Sequence, residues 1–341
     1  MVTHLTKILI PLGITAIFIV LSSQSSWFVE HIYFRFLFQF QRILHDFTLG
    51  FLPIPSIYLA LFLVFIVLIW LFKRAKTWIQ GLMGLLQVVA WLFFFFYLSW
   101  GCNYYLKPLE TRLSIPIPTL TEQDLTEMFK NQTAKLIEAR SLVDEISMSG
   151  LVLEEKIRPI LEGLLESWDL PTISKMRVRI IPSGSLLHFR TTGMYIPHAY
   201  EGHVDGGLYS VQWPFTLAHE MAHGYGITYE SDCNFIAYLT CLESEDPLIR
   251  YSGELAYWRY LASQVASFDR ENYEAVRHHI EDDIQQDLQE IRKHIDRYKD
   301  WMPNYRTVIY DNYLKTHGIK EGVKNYDRMI LLVEGWNRSV E

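Results

Sequence analysis

The stretch His219-Glu220-Met221-Ala222-His223 matches the pattern H-E-x-x-H. On an α-helix, side chains four residues apart lie on the same face, so both imidazoles can reach one metal ion. Glu220 lies about 100° further around the helix than the first histidine, where its carboxylate can accept a proton from a water activated by the metal. These residue types at this spacing predict a zinc metallopeptidase, with His219 and His223 as ligands and Glu220 as general base.

The residues around this motif predict two helices separated by a tight turn. Apolar residues occupy most of 213–218, and Pro214 suits the first turn of a helix because that turn does not need its N–H. Gly224 and Gly226 follow, and glycine readily adopts the left-handed conformation that ends a helix. A second helix is expected to begin near Glu230. The alternative is a helix pair whose buried histidines are hydrogen-bonded without a metal.

A catalytic zinc ion takes three protein ligands and keeps one position open, so a third ligand is needed. Proteases with the pattern H-E-x-x-H-x-x-G-x-x-H supply a third histidine, but Tyr229 stands at that position here, three residues after Gly226. We therefore predict Glu230 as the third ligand. Asn234 lies one turn later on the same face and is expected to hydrogen-bond a ligand. Asp232 is the competing ligand, but it points about 200° away from Glu230 on an ideal helix.

The first third of the chain is apolar enough to enter a membrane. The chain has 341 residues, of which 50% are hydrophobic and 15% aromatic. Three stretches without charged side chains, about 8–23, 51–72 and 82–101, approach the length that crosses a hydrocarbon core of about 30 Å. The first stretch contains Pro11 and Gly13 and could instead be a signal peptide, but it lacks a clear cleavage site. We predict three transmembrane helices, the first of them an uncleaved anchor.

Basic residues in short loops predict the orientation of these helices, because cytoplasmic loops are enriched in Lys and Arg. Basic side chains crowd the loop at 73–76, and Lys7 precedes the first span. The N-terminus and this loop are therefore expected in the cytoplasm. The predicted division is a transmembrane region over 1–102 and an extracytoplasmic metallopeptidase domain over 103–341.

A segment between the first two spans, about 27–47, combines aromatic and polar side chains. Polar residues recur there every three or four positions, from His31 to Asp46, and apolar residues fill most of the rest. This pattern is typical of a helix that lies in the membrane interface. The alternative is a helix that packs against the transmembrane helices.

The more polar residues 103–341 are predicted to form an α+β, mostly helical, zincin-like domain. A small sheet is expected just before the helix that carries H-E-x-x-H. Helical periodicity covers 121–147, 152–168, 248–267 and 271–300, and strand patterns occur at 175–181, 193–197 and around 203–205.

Other residues are candidates for binding substrate or stabilising an oxyanion. His188, His198 and His203 precede the predicted catalytic helix. A second set, for which core packing is the alternative, could supply a phenol to the transition state: Tyr310, Tyr313 and Tyr326.

Cysteine usage and net charge narrow the function further. The cysteines at 102, 233 and 241 form no C-x-x-C pair, and the last two are too far apart on one predicted helix to bridge each other. All three are predicted to be free thiols. The net charge of −7 and the lack of a basic tract argue against a nucleic-acid partner.

Four segments carry a resemblance to a known family: Trp100–Tyr105, Gly193–Glu201, His219–Asn234 and Tyr310–Gly318. In these segments, and in their order, the chain resembles the DUF3810 family of predicted membrane-bound zinc peptidases. The family pattern after the second histidine is E-D-E-A-N, and here residues 230–234 keep the first Glu and the Asn but carry Asp in place of the middle Glu. The resemblance implies a gluzincin-like site with Glu230 as ligand, in a bacterial cell membrane.

These observations predict a membrane-anchored, zinc-dependent peptidase that hydrolyses peptide bonds of envelope or membrane-associated proteins. Zn²⁺ is the expected cofactor, with no other cofactor-binding residues. The expected partners are the lipid bilayer and a peptide or protein substrate, including membrane-tethered ones. One alternative is a zinc-binding membrane sensor or scaffold without peptidase activity, against which the intact Glu220 argues. Another is a structural membrane protein with an accidental motif.

Overall fold

Thirteen α-helices and three short β-strands form within the described residues, which are 2–303, 308, 312, 315 and 328–340 of the computed structural model. This mostly helical architecture with a small sheet confirms the predicted balance of elements. The chain divides into two units. Unit 1 comprises Met1–Leu106, Pro171–Arg177 and Tyr195–Glu201, and unit 2 comprises Lys107–Leu170, Val178–Met194 and Gly202–Glu341.

Apolar helices dominate unit 1. Three of them, Leu5–Gln24, Ser56–Arg74 and Trp78–Ser99, are long and apolar enough to cross a membrane, judged by length and composition. A π-helical segment, Phe28–Phe38, leads directly into α2, and a 3₁₀ segment, Gly101–Tyr105, follows α4. The α-helices of this unit are α1 (Val2–Gln24), α2 (Gln39–Thr48), α3 (Ser56–Arg74) and α4 (Trp78–Ser99).

The ends of α3 and α4 differ from the predicted spans for local reasons. Helix α3 begins at Ser56 rather than near residue 51, because Pro55 restricts its predecessor to extended conformations. The first turn of α3 is then capped by Glu201, whose Oε2 accepts hydrogen bonds from Ser56 N at 2.8 Å and Ser56 Oγ at 2.9 Å. Helix α4 begins earlier than predicted because Thr77 caps it by accepting from Gln80 N at 3.3 Å.

Helix α2 buries its polar side chains and exposes its apolar ones, which is the reverse of the pattern in a helix at an aqueous surface. Its polar residues Gln39, Arg42 and His45 are buried within unit 1, and Arg42 donates to the carbonyl of Ser174 at 3.1 Å. Its apolar stripe is exposed, and Phe47 is 81% accessible. Such a distribution fits surroundings of hydrocarbon rather than water.

Unit 2 contains most of the polar chain. Its helices are α5 (Leu109–Leu113), α6 (Glu122–Ser141), α7 (Gly150–Ser167), α8 (Trp213–Gly224), α9 (Glu230–Leu242), α10 (Pro247–Phe268), α11 (Arg270–His278), α12 (Asp282–Asp296) and α13 (Arg328–Val340). The strands are β1 (Arg177–Ile181), β2 (Gly193–Ile196) and β3 (Glu201–Asp205), and they form one sheet in the order β1-β3-β2.

Capping residues set the starts of the longer helices in unit 2. Thr121 and Asp124 form a reciprocal capping box at the start of α6. Asp246 accepts from Leu248 N at 3.0 Å at the start of α10, where Pro247 occupies the first turn. Helix α10 packs against α6, α8 and α9 and so forms the centre of the unit.

The single helix predicted over 271–300 is wrong. The chain forms α11 and α12 there, separated at 279–281, where Glu281 has an extended backbone. The break allows the side chain of Ile280 to be buried together with Ile284 and Ile291 of α12. Burial of these apolar side chains outweighs the continuous helical pattern of the local sequence.

Candidate metal centre

Helix α8 places both motif histidines on one face. Pro214 lies in its first turn, and the ring centroids of His219 and His223 are 4.7 Å apart. The helix ends at Gly224, and Gly226 follows with a φ of +97°, a conformation that side chains with a Cβ rarely adopt. This turn reverses the chain, so that α9 begins at Glu230 beside the two histidines.

Glu230 completes a cluster of three possible metal ligands. Its Oε2 lies 3.1 Å from His219 Nε2 and 3.5 Å from His223 Nε2. One ligand atom from each of these residues lies within 4.8 Å of the other two. Burial by itself raises the pKa of the Glu230 carboxyl, but the adjacent His223 and His219 outweigh burial and hold that pKa well below its usual range. Glu230 is therefore ionised at neutral pH, as a metal ligand must be.

The outer nitrogen of each histidine is held by an oxygen acceptor. His219 Nδ1 donates to Asn234 Oδ1 at 2.8 Å, and His223 Nδ1 donates to the carbonyl of Ile227 at 2.9 Å. These bonds keep a proton on each Nδ1, so Nε2 is the nitrogen that gives up its proton when a metal ion binds. Asn234 thus hydrogen-bonds the first of the two motif histidines.

Three further contacts at the centre were not predicted from the sequence. Asn234 Nδ2 donates to the hydroxyl of Tyr260 on α10 at 3.0 Å, which fixes the orientation of the Asn234 amide. The thiol of Cys233 lies 3.3 Å from His223 Nδ1 and donates to the carbonyl of Ile227. Tyr260 carries no signal in the local sequence, because its role depends on the packing of α10 against α9.

Two glycines hold Glu220 in a narrow space. A Cβ added at Gly193 of β2 would lie 2.6 Å from Glu220 Oε1, and one added at Gly202 of β3 would lie 2.9 Å from Glu220 Cβ. Only glycine allows these strands to approach so closely. Glu220 is 4% exposed, with Gly193 packed against its carboxylate and Gly202 packed against its Cβ.

Comparison with known proteins identifies a family for this chain. The sequence profile of a family described as "Protein of unknown function (DUF3810)" matches residues 33–333. The chain belongs to the DUF3810 family. No curated protein and no solved structure matches it. The family description supplies no activity.

Asp232, the competing ligand, lies apart from the cluster in the DUF3810 chain. Its Oδ2 accepts from Leu109 N at 2.8 Å, at the start of α5, and its Oδ1 accepts from Ser231 Oγ at 3.3 Å. Burial raises the pKa of the Asp232 carboxyl to about 7. Asp232 therefore serves as a cap for α5.

Two of the other histidines proposed for substrate binding hydrogen-bond backbone carbonyls in this DUF3810 protein. His188 Nδ1 donates to the carbonyl of Lys299 at 2.9 Å, and its ring stacks on Trp301. His198 Nε2 donates to the carbonyl of Leu92 at 2.9 Å. His203 is buried in β3.

The structure describes the three cysteines but not the three tyrosines that were candidates for the transition state. Tyr310, Tyr313 and Tyr326 lie outside the described residues, as does most of the segment 310–318 that contributes to the resemblance. The prediction of free thiols is confirmed for all three cysteines, each of which is buried.

The donor set of this DUF3810 chain fits a zinc ion. Two imidazole nitrogens and one carboxylate oxygen are ligands that zinc commonly takes, at bond lengths of about 2.0–2.2 Å. Tetrahedral coordination at those lengths separates neighbouring ligand atoms by roughly 3.3 Å. The separations of 3.1 Å and 3.5 Å between Glu230 Oε2 and the two Nε2 atoms lie on either side of that value.

Proposed function

We propose that the chain is a membrane-anchored, zinc-dependent peptidase. The observation that carries this proposal is the convergence of His219, His223 and Glu230, with their ligand atoms within 4.8 Å of one another, beside the confined carboxylate of Glu220. Glu220 directly follows His219 in the sequence, and its side chain is buried outside the cluster. Three protein ligands also leave one position of a tetrahedral ion open for reaction.

His219, His223 and Glu230 would hold the zinc ion. When bound, the ion supplies Lewis acidity, which polarises a peptide carbonyl and lowers the pKa of a water. The hydrogen bonds from Nδ1 of His219 and His223 keep both rings in the tautomer and orientation that binding requires.

Glu220 would move the proton. Its carboxylate accepts a proton from the attacking water while the new carbon–oxygen bond forms at the peptide carbonyl. It then donates this proton to the leaving amine as the carbon–nitrogen bond breaks, so the carboxylate returns to its starting state. Close packing of Gly193 against the carboxylate and of Gly202 against Glu220 Cβ restricts the positions open to the side chain, which reduces the entropy lost in reaching the reactive geometry.

The substrate class follows from anchoring. Three helices of sufficient length and apolarity would tether the chain to a bilayer. A tethered enzyme reaches proteins at the membrane, so the proposed substrates are envelope or membrane-associated proteins. The basic loop after α3 favours an orientation with residues 103–341 outside the cytoplasm of a bacterial cell.

Zinc content of the detergent-purified protein tests the metal centre. We expect about one zinc per wild-type chain, in line with the three-ligand set, and loss of zinc from both His223→Ala and Glu230→Ala. Asp232→Asn is the matched control, because Asp232 lies two residues from Glu230 but caps α5, and this variant should keep its zinc. Wild-type protein that takes up no zinc on reconstitution would refute the proposal.

Glu220→Gln separates peptidase activity from metal binding. The amide keeps the shape of the side chain but cannot accept the proton, so this variant should retain zinc while losing turnover of a quenched-fluorescent peptide library. If both wild type and Glu220→Gln bind zinc and neither cleaves any peptide, the alternative of a zinc-binding sensor or scaffold is supported instead. Full activity in Glu220→Gln would exclude Glu220 as general base.

A further inference from the structure

A cavity of about 340 Å³ opens between α10, α11 and α12 of unit 2. Its lining contains four arginines, Arg259, Arg270, Arg277 and Arg292, but only one acidic side chain, Asp296. None of these residues belongs to the candidate metal centre. The described lining thus carries a net charge of about +3 in a chain whose overall charge is −7.

Two of the four guanidinium groups have no acidic partner. Among the residues that the structure describes, neither Arg259 nor Arg292 forms an ion pair. Arg259 and Arg292 are both exposed side chains that line this cavity, so their guanidinium groups are open to a ligand from solvent. Asp296 does not neutralise them, because its Oδ1 pairs with Arg190 Nη1 at 3.1 Å.

Tyr273 organises the remaining two arginines. The guanidinium carbons of Arg270 and Arg277 lie 5.2 Å and 5.9 Å from the centre of its ring, and Arg277 donates to its hydroxyl at 3.0 Å. Arg270 also pairs with Glu274 at 2.5 Å, so its positive charge is already partly neutralised. Cations held against an aromatic ring lose less conformational entropy when an anion binds.

We propose that this cavity binds a small anion with two or more negative charges, of the phosphate-ester or diphosphate class. The planar guanidinium fork matches the oxygen geometry of such groups and can bind them through paired hydrogen bonds. The cavity is at the lower end of the volumes found for small-molecule sites, which suits a compact ligand. The proposal is independent of the peptidase activity, because it uses none of the same residues.

The probe is inorganic pyrophosphate, titrated calorimetrically into the full-length detergent-purified protein at low ionic strength. We expect saturable 1:1 binding that weakens as salt is added, because the interaction is electrostatic. Arg259→Gln and Arg292→Gln should each weaken binding by about tenfold, since each removes charge-assisted hydrogen bonds. Arg338→Gln on α13 is the matched control, and it should leave the affinity unchanged.

A second probe, glycerol 3-phosphate, distinguishes two sources of the same chemistry. Tighter binding of glycerol 3-phosphate would assign the cavity to a phospholipid headgroup, and tighter binding of pyrophosphate would assign it to a free diphosphate-type ligand. Zinc content and the melting temperature of each variant show that it is folded. Absence of binding to both probes, or equal pyrophosphate affinity in wild type, Arg259→Gln and Arg292→Gln, would overturn the proposal.

Discussion

Gly193 and Gly202 have no side chains, and this leaves the space that the Glu220 side chain occupies. A methyl group at either position would come within 3 Å of the Glu220 side chain, closer than non-bonded carbon and oxygen atoms approach. At Gly193 the added methyl would meet the carboxylate itself, and at Gly202 it would meet Glu220 Cβ, so either substitution would displace the Glu220 side chain.

Gly193→Ala and Gly202→Ala should therefore impair turnover more than metal binding. We expect at least a tenfold loss of kcat with zinc content retained, since a shift of about 1 Å in a reacting group can cost 10²-fold. Gly163→Ala is the control, because nothing lies within 4 Å of a Cβ added there. Wild-type kcat in both strand variants would contradict the confinement of Glu220.

In the proposed zinc centre, Tyr260 would be a positioning residue that acts through Asn234 and His219. Tyr260→Phe removes the hydroxyl that orients the Asn234 amide, so zinc affinity should fall by up to about tenfold without a change in melting temperature. A chelator competition titration measures this effect. Tyr257→Phe is the matched control on the same helix, because the Tyr257 hydroxyl has no hydrogen-bond partner among the described residues. Equal zinc affinity in the two variants would remove Tyr260 from the centre.

At the scale of elements, the approach of α9 to α10 supports the metal centre. A Cβ at Gly253 of α10 would lie 2.5 Å from Cys241 Cβ of α9, so these helices are in contact at that point. Helix α9 supplies Glu230 and Asn234, and α10 supplies Tyr260. The spacing between two helices thus determines how three polar groups meet.

Gly253→Ala should force α9 and α10 apart. We expect a loss of about 1–3 kcal/mol in the free energy of unfolding, as for other overpacked sites, together with weaker zinc binding. Denaturant unfolding and chelator competition measure the two effects. In Gly163→Ala of α7 the free energy of unfolding should change by no more than about 1 kcal/mol. A Gly253→Ala protein as stable as wild type would show that the two helices can separate without cost.

The sequence predicted those elements whose boundaries are set locally. Pro214 and Gly226 mark the start of α8 and the turn after it, and the spacing of the two histidines and Glu230 was sufficient to predict that these three side chains lie together. The break at 279–281 was not predictable from the local sequence, because the burial of Ile280 depends on contacts that only the folded chain makes. Gly202 and Tyr260 were not predicted either, because their contacts are with residues distant in sequence.

At the scale of the whole molecule, the basic loop after α3 predicts which side of the membrane carries residues 103–341. Alkaline phosphatase fused after Glu341 should be active, because this reporter requires an extracytoplasmic location, whereas green fluorescent protein fused after Ala75 should fluoresce. The reciprocal fusions are the controls and should be silent. An active phosphatase at Ala75 together with a silent one at Glu341 would reverse the proposed orientation.

The three buried thiols give the protein an internal reporter of its own opening. Cys102, Cys233 and Cys241 have no accessible surface, and burial raises the pKa of the Cys233 thiol to about 12, so an alkylating reagent meets neither an exposed sulfur nor a thiolate. Modification must therefore wait for local or global unfolding. The rate at which a maleimide labels each cysteine reports how often the surrounding structure opens. Slower labelling of Cys233 after zinc is added would measure how strongly the ion stabilises the packing of α8 against α9.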